Sequence, residues 1–314
     1  MAKKPSYLDR LISEGTFRFA PLNIKDIDNK PVFEVFGPGI ADQEVALFSR
    51  EISSGDAYMS RLHEIISGAI SKRQPLPVVR FADGEYAFYR GDLSCNGLYN
   101  QAESVNAIRK IMPAHIEALR KTSQKGQLAP LVFPGNTEPK PEGLLSFLKR
   151  KKSDSSAAAF LDFLKKNGSR LTDQNYVPFY VIYAYLTSAG FISLMNGRKI
   201  CILNSECSMS ACVDWFAKQG SRPEITFVEI PKACVATRWP EMREAILPQI
   251  PAETDLCLVG AGAGALLVCT DVAERLSIPA IDAGHVLNMM NDRIDKSNGL
   301  RLYTLRKSQD ESAA

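Results

Sequence analysis

Lys199-Ile200-Cys201-Ile202-Leu203, Ile225-Thr226-Phe227-Val228-Glu229-Ile230, Asp255-Leu256-Cys257-Leu258-Val259 and Ile278-Pro279-Ala280-Ile281-Asp282 punctuate the last third of the chain. Each is a short apolar run, continuous rather than alternating. Strands of that kind are buried on both faces, which is the condition of a parallel sheet covered by helices. The segments between them carry helical spacing: residues 207–219, closed by Gly220, residues 239–249, and the stretch from the glycine turn to residue 276. The order strand, helix, strand, helix predicts an α/β fold, Rossmann-like, with a mostly parallel sheet and helices on both faces.

Working backwards, Leu76-Pro77-Val78-Val79-Arg80-Phe81 reads as a strand and Leu128–Phe133 as another. Residues 56–71, 102–122 and 142–166 read as helices, the second with Pro113 inside it and the third with a loop at 151–156. Val177–Leu194 is the longest apolar stretch and reads as one buried helix. Pro178, Ser188 and Gly190 interrupt it, and no stretch of about 18 uncharged apolar residues exists to span a bilayer. The N-terminus lacks the apolar core of a signal peptide. The chain has 314 residues and a net charge of +3, too mild a balance to point to nucleic acid. Its densest basic run, Lys149-Arg150-Lys151-Lys152, reads as a solvated loop. Seven cysteines without a CxxC pair give zinc no support and fit buried thiols in a reducing compartment, so a cytoplasmic location is expected.

The stretch that carries chemistry is Arg80-Phe81-Ala82-Asp83-Gly84-Glu85. In extended geometry, residues two apart point to one side, so Asp83 and Glu85 would face a single hard cation. Mg²⁺ and Mn²⁺ accept one or two carboxylates and leave positions for phosphate oxygens. Gly84 permits close approach to the backbone, and Arg80 can pair with a phosphate or a carboxylate. A tight Asp-Gly turn is the plain alternative. Tyr86, Phe88 and Tyr89 either stack on a base or sugar or pack in the core.

Further along, Gly260-Ala261-Gly262-Ala263-Gly264 lies between a strand and a helix. Gly260, Gly262 and Gly264 serve either helix packing or a diphosphate held on backbone amides. With Asp282 they also fit a relaxed dinucleotide fingerprint, which keeps an NAD(P)-dependent oxidoreductase as a rival. Glu206, after the strand ending at Asn204, is either a donor contact or a carboxylate complementing a helix dipole. His285 is either structural or an acid or base near neutral pH. Lys232, Thr237 and Arg238 follow the strand ending at Pro231 and are either phosphate contacts or a solvated loop.

Val78–Glu85 resembles the signature of the GT-D-fold bacterial glycosyltransferases, R-F-G-D-G-E after a strand. Phe227-Val228-Glu229-Ile230-Pro231 is similar to that family's strand ending in proline. Leu258–Gly264, with Ile281-Asp282-Ala283-Gly284-His285, is similar to its closing strands. The resemblance spans residues 56–295, leaving 1–55 as an N-terminal extension and 296–314 as a tail. It implies transfer of a sugar from a nucleotide donor, a UDP-sugar foremost, to a hydroxyl acceptor. It places Mn²⁺ or Mg²⁺ on Asp83 and Glu85. Arg80, Gly84, Glu206, Gly260, Gly262, Gly264 and Asp282 then fall to donor binding, and Asp92, Glu206 and His285 are candidates for the general base. One departure is Ala82, where the family has glycine. Alanine there is strained if the backbone needs positive φ. A non-catalytic nucleotide- or sugar-binding module and a homo-oligomer both stay open.

Overall fold

The computed structural model describes residues 5–22, 44–50, 52, 54–97, 99–137 and 157–291. The basic run at 149–152, the first part of the helix expected over 142–166, and the tail after 296 lie outside the described residues.

The centre is a six-stranded, wholly parallel sheet. Its strands are β3 (Leu76–Phe81), β4 (Gln127–Pro130), β5 (Lys199–Asn204), β6 (Glu224–Glu229), β7 (Leu256–Val259) and β8 (Pro279–Asp282), in the spatial order β4-β3-β8-β7-β5-β6. Every residue of β3, β4, β7 and β8 is buried, which is why these strands read as continuous apolar runs. Edge strand β6 keeps both terminal glutamates exposed. Two helical layers cover the sheet. One contains α4 (Val105–Lys125), α9 (Val235–Ile246) and α10 (Ala265–Leu276). The other contains α2 (Gly55–Lys72), α6 (Phe179–Leu186) and α7 (Ala189–Met195).

The apolar stretch 177–194 is two helices rather than one. Thr187 ends α6, and Ser188 begins α7 by accepting the Phe191 amide. Serine competes for backbone hydrogen bonds inside a helix and favours the cap instead. In the N-terminal region, α1 (Tyr7–Ser13) is followed by the antiparallel pair β1 (Phe17–Pro21) and β2 (Glu44–Phe48). Phe17, Leu22 and Leu47 join the same core as the sheet, and the Tyr7 amide donates to Asp162 of α5 (Ala157–Lys166).

Gly126 shows how tightly the layers close. A Cβ there would lie 2.1 Å from the Pro77 carbonyl oxygen, so only glycine lets α4 turn into β4 against β3.

His115 lies wholly inside the core. Its Nε2–H donates to the Ala236 carbonyl at 2.8 Å, and Nδ1 accepts from the Tyr89 hydroxyl at 3.0 Å. Burial lowers its pKa to about 4, so the folded protein holds it neutral. The unfolded chain takes up that proton near pH 6.5. Between about pH 6.5 and 4 the unfolded state therefore binds more protons, and this stability is lost as pH falls. His115→Gln should reduce the slope of unfolding free energy against pH in that window by up to about 1.4 kcal/mol per pH unit. Denaturant melts at several pH values check this, and an unchanged slope would refute it.

Candidate functional site

All six strands run the same way, so their carboxyl ends meet along one edge, where open α/β sheets bind ligands. The residues following β3, β5, β6, β7 and β8 gather there. They include Asp83, Glu206, Lys232 and Gly260, with Asp282 at the end of β8 itself.

The edge is organised around Arg80. Its Nη2 donates to Asp282 Oδ1 at 2.9 Å, and its Nε donates to the Asp282 carbonyl at 3.0 Å. Both side chains are less than a tenth exposed. The guanidinium also lies 4.5 Å from the Tyr183 ring centre and 5.4 Å from that of Phe179, both on α6. Gly284 makes room for it. A Cβ at residue 284 would meet Nη2 at 2.4 Å, and φ there is +21°. Arg80 and Asp282, read from sequence as donor contacts, satisfy one another first.

The geometry of the D-x-E triplet differs from the extended reading. Asp83 begins helix α3 (Asp83–Tyr89), so Asp83 and Glu85 project roughly 200° apart around its axis. The strand stops at Ala82, whose φ of −129° is extended backbone. Alanine in place of the family's glycine is therefore unstrained. Glu85 folds back, and its Oε2 accepts the Ala82 amide at 2.9 Å, satisfying one of the donors a helix start leaves open. Burial, with the Asp282 charge nearby, pushes the Glu85 carboxyl up to about 7. Asp83 is exposed, and its carboxylate makes no hydrogen bond or ion pair with any described residue. Gly84 beside it has open space where a Cβ would stand.

Tyr86, Phe88 and Tyr89 do not reach the edge. They are buried and pack with Phe81, Phe160 and His115, which excludes stacking on a ligand. The aromatic residues that do stand at the edge are Phe179 and Tyr180, both half-buried, and Tyr183. The His285 ring lies nearly parallel to Tyr183, 13° between planes and 6.4 Å between centres. Nothing in the sequence separated these α6 rings from core.

Each glycine of the 260–264 turn answers a packing demand. A Cβ on Gly260 would lie 2.3 Å from the Asn204 side chain, and one on Gly264 would lie 2.9 Å from the Ala236 amide nitrogen. Gly262 adopts φ +53° and lies against Gln101, whose Oε1 accepts the Ala263 amide at 2.9 Å. The Gly264 amide donates to the Ala261 carbonyl. A carboxamide thus already holds one amide that a diphosphate would use.

Among the general-base candidates, Asp92 accepts the Ser94 amide at 2.9 Å and starts a short 3₁₀ turn. Glu206 forms an ion pair with Lys232, linking the ends of β5 and β6. His285 belongs, through Tyr183, to the cluster around Arg80. Thr237 donates to Glu103 at 2.6 Å, and Arg238 pairs with Glu103 and Glu241. No group of three or more His, Cys, Asp or Glu side chains able to hold a metal occurs among the described residues. Asp83 and Glu85 leave the start of α3 in different directions, so Glu85 would join Asp83 on one ion only by turning away from the Ala82 amide; the oxygen chemistry of the pair suits Mg²⁺ or Mn²⁺ completed by phosphate oxygens.

Residues 161–290 match a family model described as a GT-D fold-like domain, and this part of the chain is GT-D-like. Two solved structures are similar. One is described as a selenomethionine-substituted domain of unknown function 1792, with 18% identity, a TM-score of 0.43, and coverage of 73% of this chain and 81% of that one. The other is described as the highly conserved domain of unknown function 1792 with a distinct glycosyltransferase fold, with 18% identity, a TM-score of 0.44, and coverage of 74% and 82%. A comparison with curated proteins finds no match. No helix among the described residues is long and apolar enough to cross a membrane.

Breaking the Arg80–Asp282 pair from one side should be costly, because a buried charge is left alone. Asp282→Asn is expected to lower unfolding free energy by about 3–5 kcal/mol. Gly284→Ala, which pushes on the same guanidinium, should cost about 1–3 kcal/mol. Urea titrations measure both, and wild-type stability in each variant would contradict the assignment.

Proposed function

We propose that this chain is a glycosyltransferase whose nucleotide-sugar donor, foremost a UDP-sugar, binds at the carboxyl edge of the sheet beside Asp83. The observation that carries the reading is the exposed Asp83 carboxylate, without a protein partner among the described residues, at the end of a strand pinned by a buried ion pair. The match of residues 161–290 to a GT-D fold-like domain supports it.

In this reading Asp83, joined by Glu85 once its carboxyl turns from the Ala82 amide, would hold Mn²⁺ or Mg²⁺. When bound, the ion supplies positive charge for the departing nucleoside diphosphate. The chain's own part is geometric and protic. The Arg80–Asp282 pair fixes the end of β3, so Asp83 keeps its place. Phe179, Tyr180 and Tyr183 give the donor an apolar wall that excludes water. His285 takes the proton of the acceptor hydroxyl as it attacks the anomeric carbon. Glu206 and Lys232 border the acceptor side. A dinucleotide-dependent oxidoreductase is less well supported: it needs Asp282 on a ribose hydroxyl, and Asp282 is committed to Arg80.

Incubating the protein with UDP-, GDP- and dTDP-sugars and Mn²⁺ tests the proposal by release of nucleoside diphosphate. Asp83→Ala should reduce release at least about 100-fold and change stability by no more than about 1 kcal/mol, the worth of an exposed helix-start charge. Glu85→Ala should also lose turnover. It additionally loses about 1 kcal/mol of stability, because it removes the hydrogen bond to Ala82. His285→Asn should lower kcat about 100-fold or more with KM little changed. Full activity in both carboxylate variants would refute the site. Oxidation of NAD(P)H would favour the oxidoreductase, and binding without turnover would favour a module that only holds nucleotide.

A further inference from the structure

Ser208 is the N-cap of helix α8 (Met209–Lys218), and its hydroxyl accepts the Ala211 amide. A helix start of this kind brings the residue before the cap against the fourth helical residue, the positions of a hydrophobic staple. Here both are cysteines, Cys207 and Cys212, with their sulfurs 3.3 Å apart. The Asn291 carboxamide donates to both, at 2.9 and 3.3 Å, while its oxygen accepts the Ser208 amide. The two thiols are thus held in register by the cap, by the helix and by a side chain from the end of α11 (Gly284–Met290). Cys212 is buried and Cys207 is partly exposed, so Cys207 is the residue open to a solvent oxidant.

We propose that Cys207 and Cys212 form a reversible disulfide under oxidation by a hydroperoxide. Cys207 attacks hydrogen peroxide: the O–O bond breaks, Cys207 becomes a sulfenic acid, and one water leaves. The Cys212 sulfur then attacks Cys207 Sγ. The S–O bond breaks, the disulfide forms, and a second water carries off the remaining thiol proton. Two electrons pass from the sulfurs to the peroxide. The sulfurs need to close from 3.3 Å to about 2.05 Å, a shift that side-chain rotation and a small movement of the 205–208 segment supply. The closed loop is short, so it adds little chain-entropy stabilisation, and the bond belongs to the readily reduced class. It lies next to Glu206, at the end of β5 on the candidate site's edge.

A second thiol pair serves as an internal control. Cys201 and Cys257 face each other across β5 and β7 and are fully buried, so the oxidant does not reach them. The experiment treats the folded protein with hydrogen peroxide, then denatures it, alkylates it and reads intact and peptide masses. The expected result is two thiols lost to alkylation, both on the peptide 207–224 released by cleavage after Glu206 and Glu224, which holds Cys207 and Cys212 but not Cys201. That peptide should be about 2 Da lighter than its reduced, unalkylated form, and dithiothreitol should reverse the change. Cys207→Ser should abolish the loss, and Cys212→Ser should limit it to one thiol, left as an oxygen adduct on Cys207, with circular dichroism confirming that the variants fold. Peptide mapping of the wild type decides the matter even if they do not. Alkylation of all seven cysteines after treatment, thiol loss at other positions, or a stable oxygen adduct on Cys207 with Cys212 still alkylated would each overturn the proposal.

Discussion

The buried pair of Arg80 and Asp282 is the constraint on which the carboxyl edge depends. A guanidinium at the end of a central strand is costly to bury, and it is tolerated because one carboxylate, one backbone carbonyl and two aromatic rings receive it. Those partners come from β8 and α6. One side chain therefore fixes the spacing between β3 and β8, the pitch of α6 over the sheet, and the start of α11. Gly284 follows from the same fact, since no other residue leaves the guanidinium its space.

Around that anchor the edge is divided between structure and chemistry. Glu85 has a structural task, closing the first turn of α3, and Glu206 has one in its ion pair with Lys232. The glycine turn is occupied with letting Asn204, Gln101 and Ala236 come close. Asp83 has no such task. Asp83 is not the cap, which is Ala82, and its charge at the helix start is worth no more than about 1 kcal/mol. Its position at the mouth of a parallel sheet is what the proposed donor-binding role rests on.

How much of this was legible in the sequence follows from how local each feature is. The strands from 199 onward were visible because burial on both faces writes itself as unbroken apolar residues. The placement of Asp83 at a strand end followed from the same signal. The conformation of 83–85 was hidden, because a two-residue carboxylate spacing means one thing in a strand and another in a helix. The three residues alone do not say where the strand stops. Arg80 and Asp282 are 202 positions apart, so their bond was beyond any periodicity argument. Gln101, which holds the Ala263 amide, comes from 162 residues away for the same reason. The apolar run at 177–194 concealed its rings at the edge, since hydropathy does not distinguish an aromatic residue in a core from one lining a cleft. The thiol pair was visible only as an i, i+5 spacing until the Ser208 cap gave it geometry.

In the proposed reading the nucleotide donor sits at the carboxyl edge of β3 and β8, against Asp83. A crystal structure of the protein with a nucleoside diphosphate and Mn²⁺ tests it most directly. Anomalous scattering should place the manganese within coordination distance of an Asp83 oxygen, with diphosphate oxygens completing its shell. A diphosphate bound elsewhere on the molecule, or an ion with no Asp83 oxygen among its ligands, would contradict the account.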